Sequence, residues 1–68
     1  MHYFAYNLKV LREEQNLTQP ELAKKLNVSK DMISFWENSK YEPTATNIIK
    51  VAEFFDVSID DLLLTKLI

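Results

Sequence analysis

Two helix-start signals stand close together in the first half of the chain, and their spacing leaves little freedom for what lies between them. Thr18-Gln19-Pro20-Glu21 reads as a capping box: the Thr18 hydroxyl accepts the Glu21 amide hydrogen while the Glu21 carboxylate reaches back. Pro20 falls in the first turn, where its missing N–H is not needed. Leu22, Ala23 and Leu26 then supply the apolar face of a short helix. Asn27 suits the left-handed closing position, and Ser29, two residues on, is a new N-cap. The turn between the helices is therefore about three residues long, with apolar Val28 inside it. Two short helices joined in this way make a helix-turn-helix arrangement.

The rest of the chain parses by the same rules. Phe4, Leu8 and Leu11 fall at i, i+4 and i+7, one face of a helix over residues 3–15 that Asn16 and Leu17 end. Ile33, Trp36 and the stem of Glu37 share the inward face of a third helix over residues 30–38. Pro43-Thr44 opens a fourth, with Ile48, Val51, Ala52 and Phe55 as its buried stripe. Ser58-Ile59-Asp60-Asp61 is a second box-like start, leading into Leu62, Leu63 and Leu64. The expectation is an all-α fold of five helices without a strand, residues 1–68 forming a single domain. Glycine is absent and proline occurs only at Pro20 and Pro43, so helix ends depend on caps and on asparagine.

Composition removes several classes of chemistry. Without cysteine there are no disulfides, thiolate metal sites or cysteine nucleophiles, so packing must hold the fold, and a reducing cytoplasm fits. His2 stands alone near the chain start, with no second ligand or base to work with. No nucleophile–base pair, glycine-rich phosphate loop or metal-spaced ligand set is present. Neither an enzyme, a cofactor nor a small-molecule ligand is expected. The longest mostly apolar stretch, residues 59–68, is broken by Asp60, Asp61 and Lys66 and is too short to span a bilayer. No secretory signal pattern is seen, and a soluble, cytoplasmic protein is expected. The net charge of −2 weighs against a nucleic-acid partner, but the acids are unevenly placed. Residues 1–44 hold six bases and six acids, whereas residues 45–68 hold two and four.

Taken in order, Leu11-Arg12, Leu17-Thr18-Gln19-Pro20-Glu21-Leu22-Ala23, Val28-Ser29, Ile33-Ser34-Phe35-Trp36-Glu37-Asn38, Pro43, Ala52, Val57-Ser58 and Leu62-Leu63 form one pattern. It resembles the phage-repressor and Cro-like helix-turn-helix proteins, the XRE family, from about Leu8 to Leu63. The resemblance implies a compact lambda-repressor-like domain with the motif over about residues 18–38. In such domains the third helix lies in the DNA major groove, the second crosses the backbone, and dimers bind paired half-sites. It thus implies a sequence-specific double-stranded DNA-binding regulator of transcription, a repressor, acting as a homodimer on a two-fold-related operator. Residue by residue, it implies base contacts from Lys30, Asp31, Ser34 and Phe35. Backbone contacts are implied for Gln19, Ser29, Asn38, Lys40 and Tyr41, and an internal ion pair for Arg12 and Glu37. Three departures stand out. Asn27 and Ser39 occupy places where the family often has glycine; residues 39–43 carry Lys40 balanced by Glu42; and Asp31 brings a negative charge towards the groove.

Each of these residues also has a plainer reading. Phe35 points away from Ile33 and Trp36, so it either reads a thymine methyl or is a surface aromatic packed on a neighbouring loop. Lys30 can meet the O6 and N7 acceptors of guanine, touch phosphate, or stay solvated. Asp31 can accept from the cytosine amino group or simply oppose the helix dipole. Gln19, at the start of helix two, fits a phosphate anchor or an ordinary exposed first-turn position. Lys24 and Lys25 read as the solvated face of helix two, with a reach to the DNA backbone as the alternative. Arg12 is the sole arginine: it either faces Glu37, which would leave no arginine for recognition, or faces DNA. Leu63, Leu64, Leu67 and Ile68 exceed what one short helix buries, so helix five and the tail, residues 58–68, are expected to form the dimer surface. A frayed apolar tail is the alternative. The rival function is a protein-interaction module, an antirepressor or antitoxin-like partner, that keeps the fold without specific DNA binding.

Overall fold

The computed structural model describes residues 3–68, and the reading of His2 lies outside them. Five helices follow one another: α1 (Phe4–Glu14), α2 (Gln19–Leu26), α3 (Lys30–Glu37), α4 (Ala45–Phe55) and α5 (Ile59–Leu64), with no strand among the described residues. The last four begin alike. Thr18, Ser29, Thr44 and Ser58 each accept, through the side-chain oxygen, the backbone N–H three residues on. At α2 the capping box is complete, with Glu21 N donating to Thr18 Oγ1 at 3.2 Å and Thr18 N to Glu21 Oε1 at 2.8 Å. The bond from the Thr18 backbone, more than that from its side chain, holds the Glu21 carboxyl below its ordinary pKa.

Helix ends are closed without glycine. Asn16, Asn27, Ser39 and Asp56 all lie in the left-handed region, at φ of 57°, 58°, 58° and 55°. Past each of them the chain folds back. Leu17 N donates to Arg12 O at 3.1 Å, Val28 N to Ala23 O at 3.0 Å, Lys40 N to Phe35 O at 2.8 Å, and Val57 N to Ala52 O at 3.0 Å. These are Schellman closures, which satisfy carbonyls a helix end otherwise leaves open. Asn and Asp tolerate the left-handed conformation because their short polar side chains bond locally. Ser39 has no such advantage. The family departures at Asn27 and Ser39 are thus absorbed by left-handed residues that keep the glycine geometry.

The buried faces meet in one core. Phe4, Leu8 and Leu11 of α1 close on Leu22, Ala23 and Leu26 of α2, Ile33 and Trp36 of α3, Val51, Ala52 and Phe55 of α4, and Leu62 of α5. Phe4 meets Trp36 edge-on, ring centroids 6.1 Å apart. Ile48, expected in the stripe of α4, is half-buried and packs at the margin of the core. Packing of α3 against both α1 and α2 is what fixes its direction. No helix among the described residues is long and apolar enough to cross a membrane.

The tail after α5 is tied down, which removes the reading of it as frayed. Asn7, on the Phe4–Leu11 face of α1, is fully buried. Its Nδ2 donates to Leu62 O and Thr65 O, both at 2.8 Å, and its Oδ1 accepts Leu67 N at 3.0 Å. Tyr6 donates its hydroxyl hydrogen to the main-chain oxygen of Ile68 at 2.6 Å, and the Lys66 ammonium sits 5.2 Å from the Tyr6 ring centre.

Candidate nucleic-acid interface

Burial of Ile33 and Trp36 turns the other side of α3 to solvent. Lys30, Asp31 and Asn38 are exposed there, and Ser34 and Phe35 are half-exposed. The four residues expected to read bases therefore lie together on one helix, clear of the core. Lys30 and Asp31 approach each other at 3.5 Å, their side chains 69% and 72% exposed. A pair so open contributes little stability, so either partner can turn to a ligand at small cost.

Beneath this surface lies a charged network. Arg12 Nε donates to Glu37 Oε2 at 2.7 Å and Arg12 Nη2 to Glu37 Oε1 at 3.0 Å, a two-pronged bond between side chains only 11% and 4% exposed. Arg12 Nη1 donates to Leu17 O at 2.8 Å. The expected ion pair thus ties α1 to α3 and also holds the segment entering α2. The Glu37 hydrogen bond, outweighing the opposing effect of burial, raises the Arg12 pKa above its ordinary value. Gln19 joins the network, its Nε2 donating to Glu37 Oε1 at 3.0 Å. Spacing gave no sign of that bond. It fixes the Gln19 amide at the start of α2, with one N–H still to offer an anion.

Two further expected backbone contacts are partly engaged within the protein. Ser29 Oγ accepts Met32 N at 3.1 Å, which leaves its hydroxyl hydrogen available as a donor. Asn38 Nδ2 donates back to Ser34 O at 2.9 Å and approaches Ser34 Oγ at 3.3 Å. Asn38 and Ser34 therefore act on each other at the end of α3. Lys40 and Tyr41 gather around Phe35: the Lys40 ammonium lies 5.1 Å from the Phe35 ring centre, and the Tyr41 ring stands perpendicular to it at 5.1 Å. The outward aromatic thus faces solvent and packs on the following loop as well.

The expected dimer residues divide in two. Leu63 and Leu67 pack half-buried against the core, whereas Leu64 and Ile68 are 64% and 53% exposed. Asn7, which secures this region, was not singled out in the sequence, although its position on the apolar face of α1 was a usable signal.

A tightly turned helix pair with its second helix exposed defines a repressor-like DNA-binding fold. Over 96% of this chain and 98% of the other, the structure superposes on the P22 c2 repressor in complex with a synthetic operator, with a TM-score of 0.86 and 28% identity. The chain belongs to the helix-turn-helix family, of XRE type, whose model matches residues 8–62. It is 47% identical over 55 residues to an HTH-type transcriptional regulator of Methanocaldococcus jannaschii, covering 81% of this chain and 83% of that protein. It is also 43% identical over 60 residues to the transcriptional activator BcrR of Enterococcus faecalis, covering 88% of this chain but only 29% of BcrR.

Proposed function

We propose that this regulator binds double-stranded DNA sequence-specifically in the cytoplasm, as a homodimer on a two-fold-related operator, and represses transcription without catalysis or cofactor. The observation that carries this is the outward row of exposed Lys30 and Asp31 and half-exposed Ser34 and Phe35 on a helix whose opposite face is locked in the core. Support also comes from the P22 c2 repressor, which shares the fold over nearly the whole chain and is in complex with a synthetic operator. Lys30, Asp31, Ser34 and Phe35 would meet base edges. Gln19, Ser29, Asn38, Lys40 and Tyr41 would meet the backbone and set register. One such helix reads only a few base pairs, so two copies are needed to single out an operator among competing sites. The exposed Leu64 and Ile68, footed on Leu63 and Leu67, offer the surface for that pairing.

An anisotropy titration with mixed-sequence duplex at low salt tests the reading. Binding that weakens steeply as salt rises is expected from phosphate contact. No binding under those conditions would favour the protein-interaction module, to which the net charge of −2 also points.

A further inference from the structure

Phe35 does more in this fold than face outward. Its carbonyl accepts the Lys40 N–H at 2.8 Å, a bond that Ser39 permits by taking φ 58°. The side chains then meet a second time, because the Lys40 ammonium lies 5.1 Å from the Phe35 ring centre, within the range of a cation–π contact. Tyr41 adds its ring perpendicular to that of Phe35, also at 5.1 Å. Main-chain closure thus sets where Lys40 and Tyr41 begin, and the Phe35 ring sets where their side chains end. Without the ring, Lys40 is a long exposed side chain with many rotamers, and fixing it on a phosphate would cost conformational entropy at the moment of binding.

We propose that Phe35 is a positioning residue: its ring holds the Lys40 ammonium and the Tyr41 ring beside the end of α3, so that the following loop meets the DNA backbone already ordered. The proposal rests on the reading of α3 as the DNA-facing helix and deepens it. Beside any contact of Phe35 with a base edge, it gives the ring a part in affinity for DNA of any sequence, through Lys40, whereas a thymine-methyl contact acts only at the preferred site.

The test is a double-mutant cycle on mixed-sequence duplex, combining Phe35→Leu with Lys40→Ala in the full chain, with Phe35→Tyr as the conservative variant. Leucine keeps an apolar group for a methyl contact but has no ring face; tyrosine keeps the ring. In the parent, Lys40→Ala is expected to weaken binding several-fold and to lower the salt slope by about one. In the Phe35→Leu background the same change should have little further effect, and Phe35→Tyr should behave as the parent. Upfield-shifted Lys40 methylene protons, lost in Phe35→Leu and kept in Phe35→Tyr, would report the contact without DNA. Equal fold-losses from Lys40→Ala in both backgrounds would overturn the proposal, as would a Phe35→Leu defect confined to the preferred sequence. If the parent fails to bind any duplex at low salt, the DNA reading itself falls first and this proposal with it.

Discussion

The carboxylate of Glu37 accepts from Arg12 twice and from Gln19 once, while Arg12 spends its remaining contact on Leu17. Charges buried this deeply are tolerable only because they satisfy each other. Glu37→Ala is therefore expected to destabilise by about 3–5 kcal/mol in denaturant unfolding, and Arg12→Met with Glu37→Leu to recover much of that loss. A cycle showing no coupling between the two positions would contradict the pairing. Ser39 offers the opposite sign. A left-handed L-residue costs about 1–2 kcal/mol, so Ser39→Gly should raise stability, the gain reduced by the greater freedom glycine has in the unfolded chain. A lower unfolding midpoint would count against the strain. Glu21 adds a pH dependence. Its pKa is lower in the folded than in the unfolded state, so its contribution is present above the unfolded value and lost as pH falls through the folded one. The stability difference between the parent and Glu21→Ala should accordingly shrink in acid, whereas a difference that grows there would refute the assignment.

At the scale of elements, the helices were legible because their signals are local. Thr18 with Glu21, Asn27, and Ser29 act on neighbours a few residues away, and all three do what sequence spacing implies. Contacts between elements were less so. The Arg12–Glu37 pair came through the family pattern, but Gln19 bonding to Glu37 depends on how α2 is set against α3, which no spacing encodes. The same is true of Phe35 beneath Lys40, since one outward ring satisfies the sequence pattern whether it packs on a loop or not. Asn7 sits on an apolar face, but its partners Leu62, Thr65 and Leu67 lie at the far end of the chain. Asn7→Leu strands these tail groups, and a loss of about 1–3 kcal/mol with faster amide exchange at Leu67 is expected. Unchanged exchange would show that the tail is held by other contacts. For backbone anchoring, Gln19→Ala should weaken binding to every duplex by similar factors; a sequence-dependent loss would move Gln19 from phosphate to bases.

Over the whole molecule, the tail is part of the fold as well as the proposed pairing surface. Truncation after Leu62 would remove two of the groups that satisfy Asn7, so it cannot separate assembly from folding. Leu64→Glu with Ile68→Glu changes only exposed side chains and does separate them. This variant is expected to stay folded but sediment as a monomer at a concentration on the order of tens of micromolar, where the parent is expected to be dimeric, and to bind operator more weakly. A parent that sediments as a monomer would contradict the pairing. Whether α3 reads sequence is decided by selection of binding sites from a pool of random duplexes. Enrichment of one motif made of two half-sites related by a two-fold axis is expected. A pool that remains random after repeated rounds at low salt would contradict it.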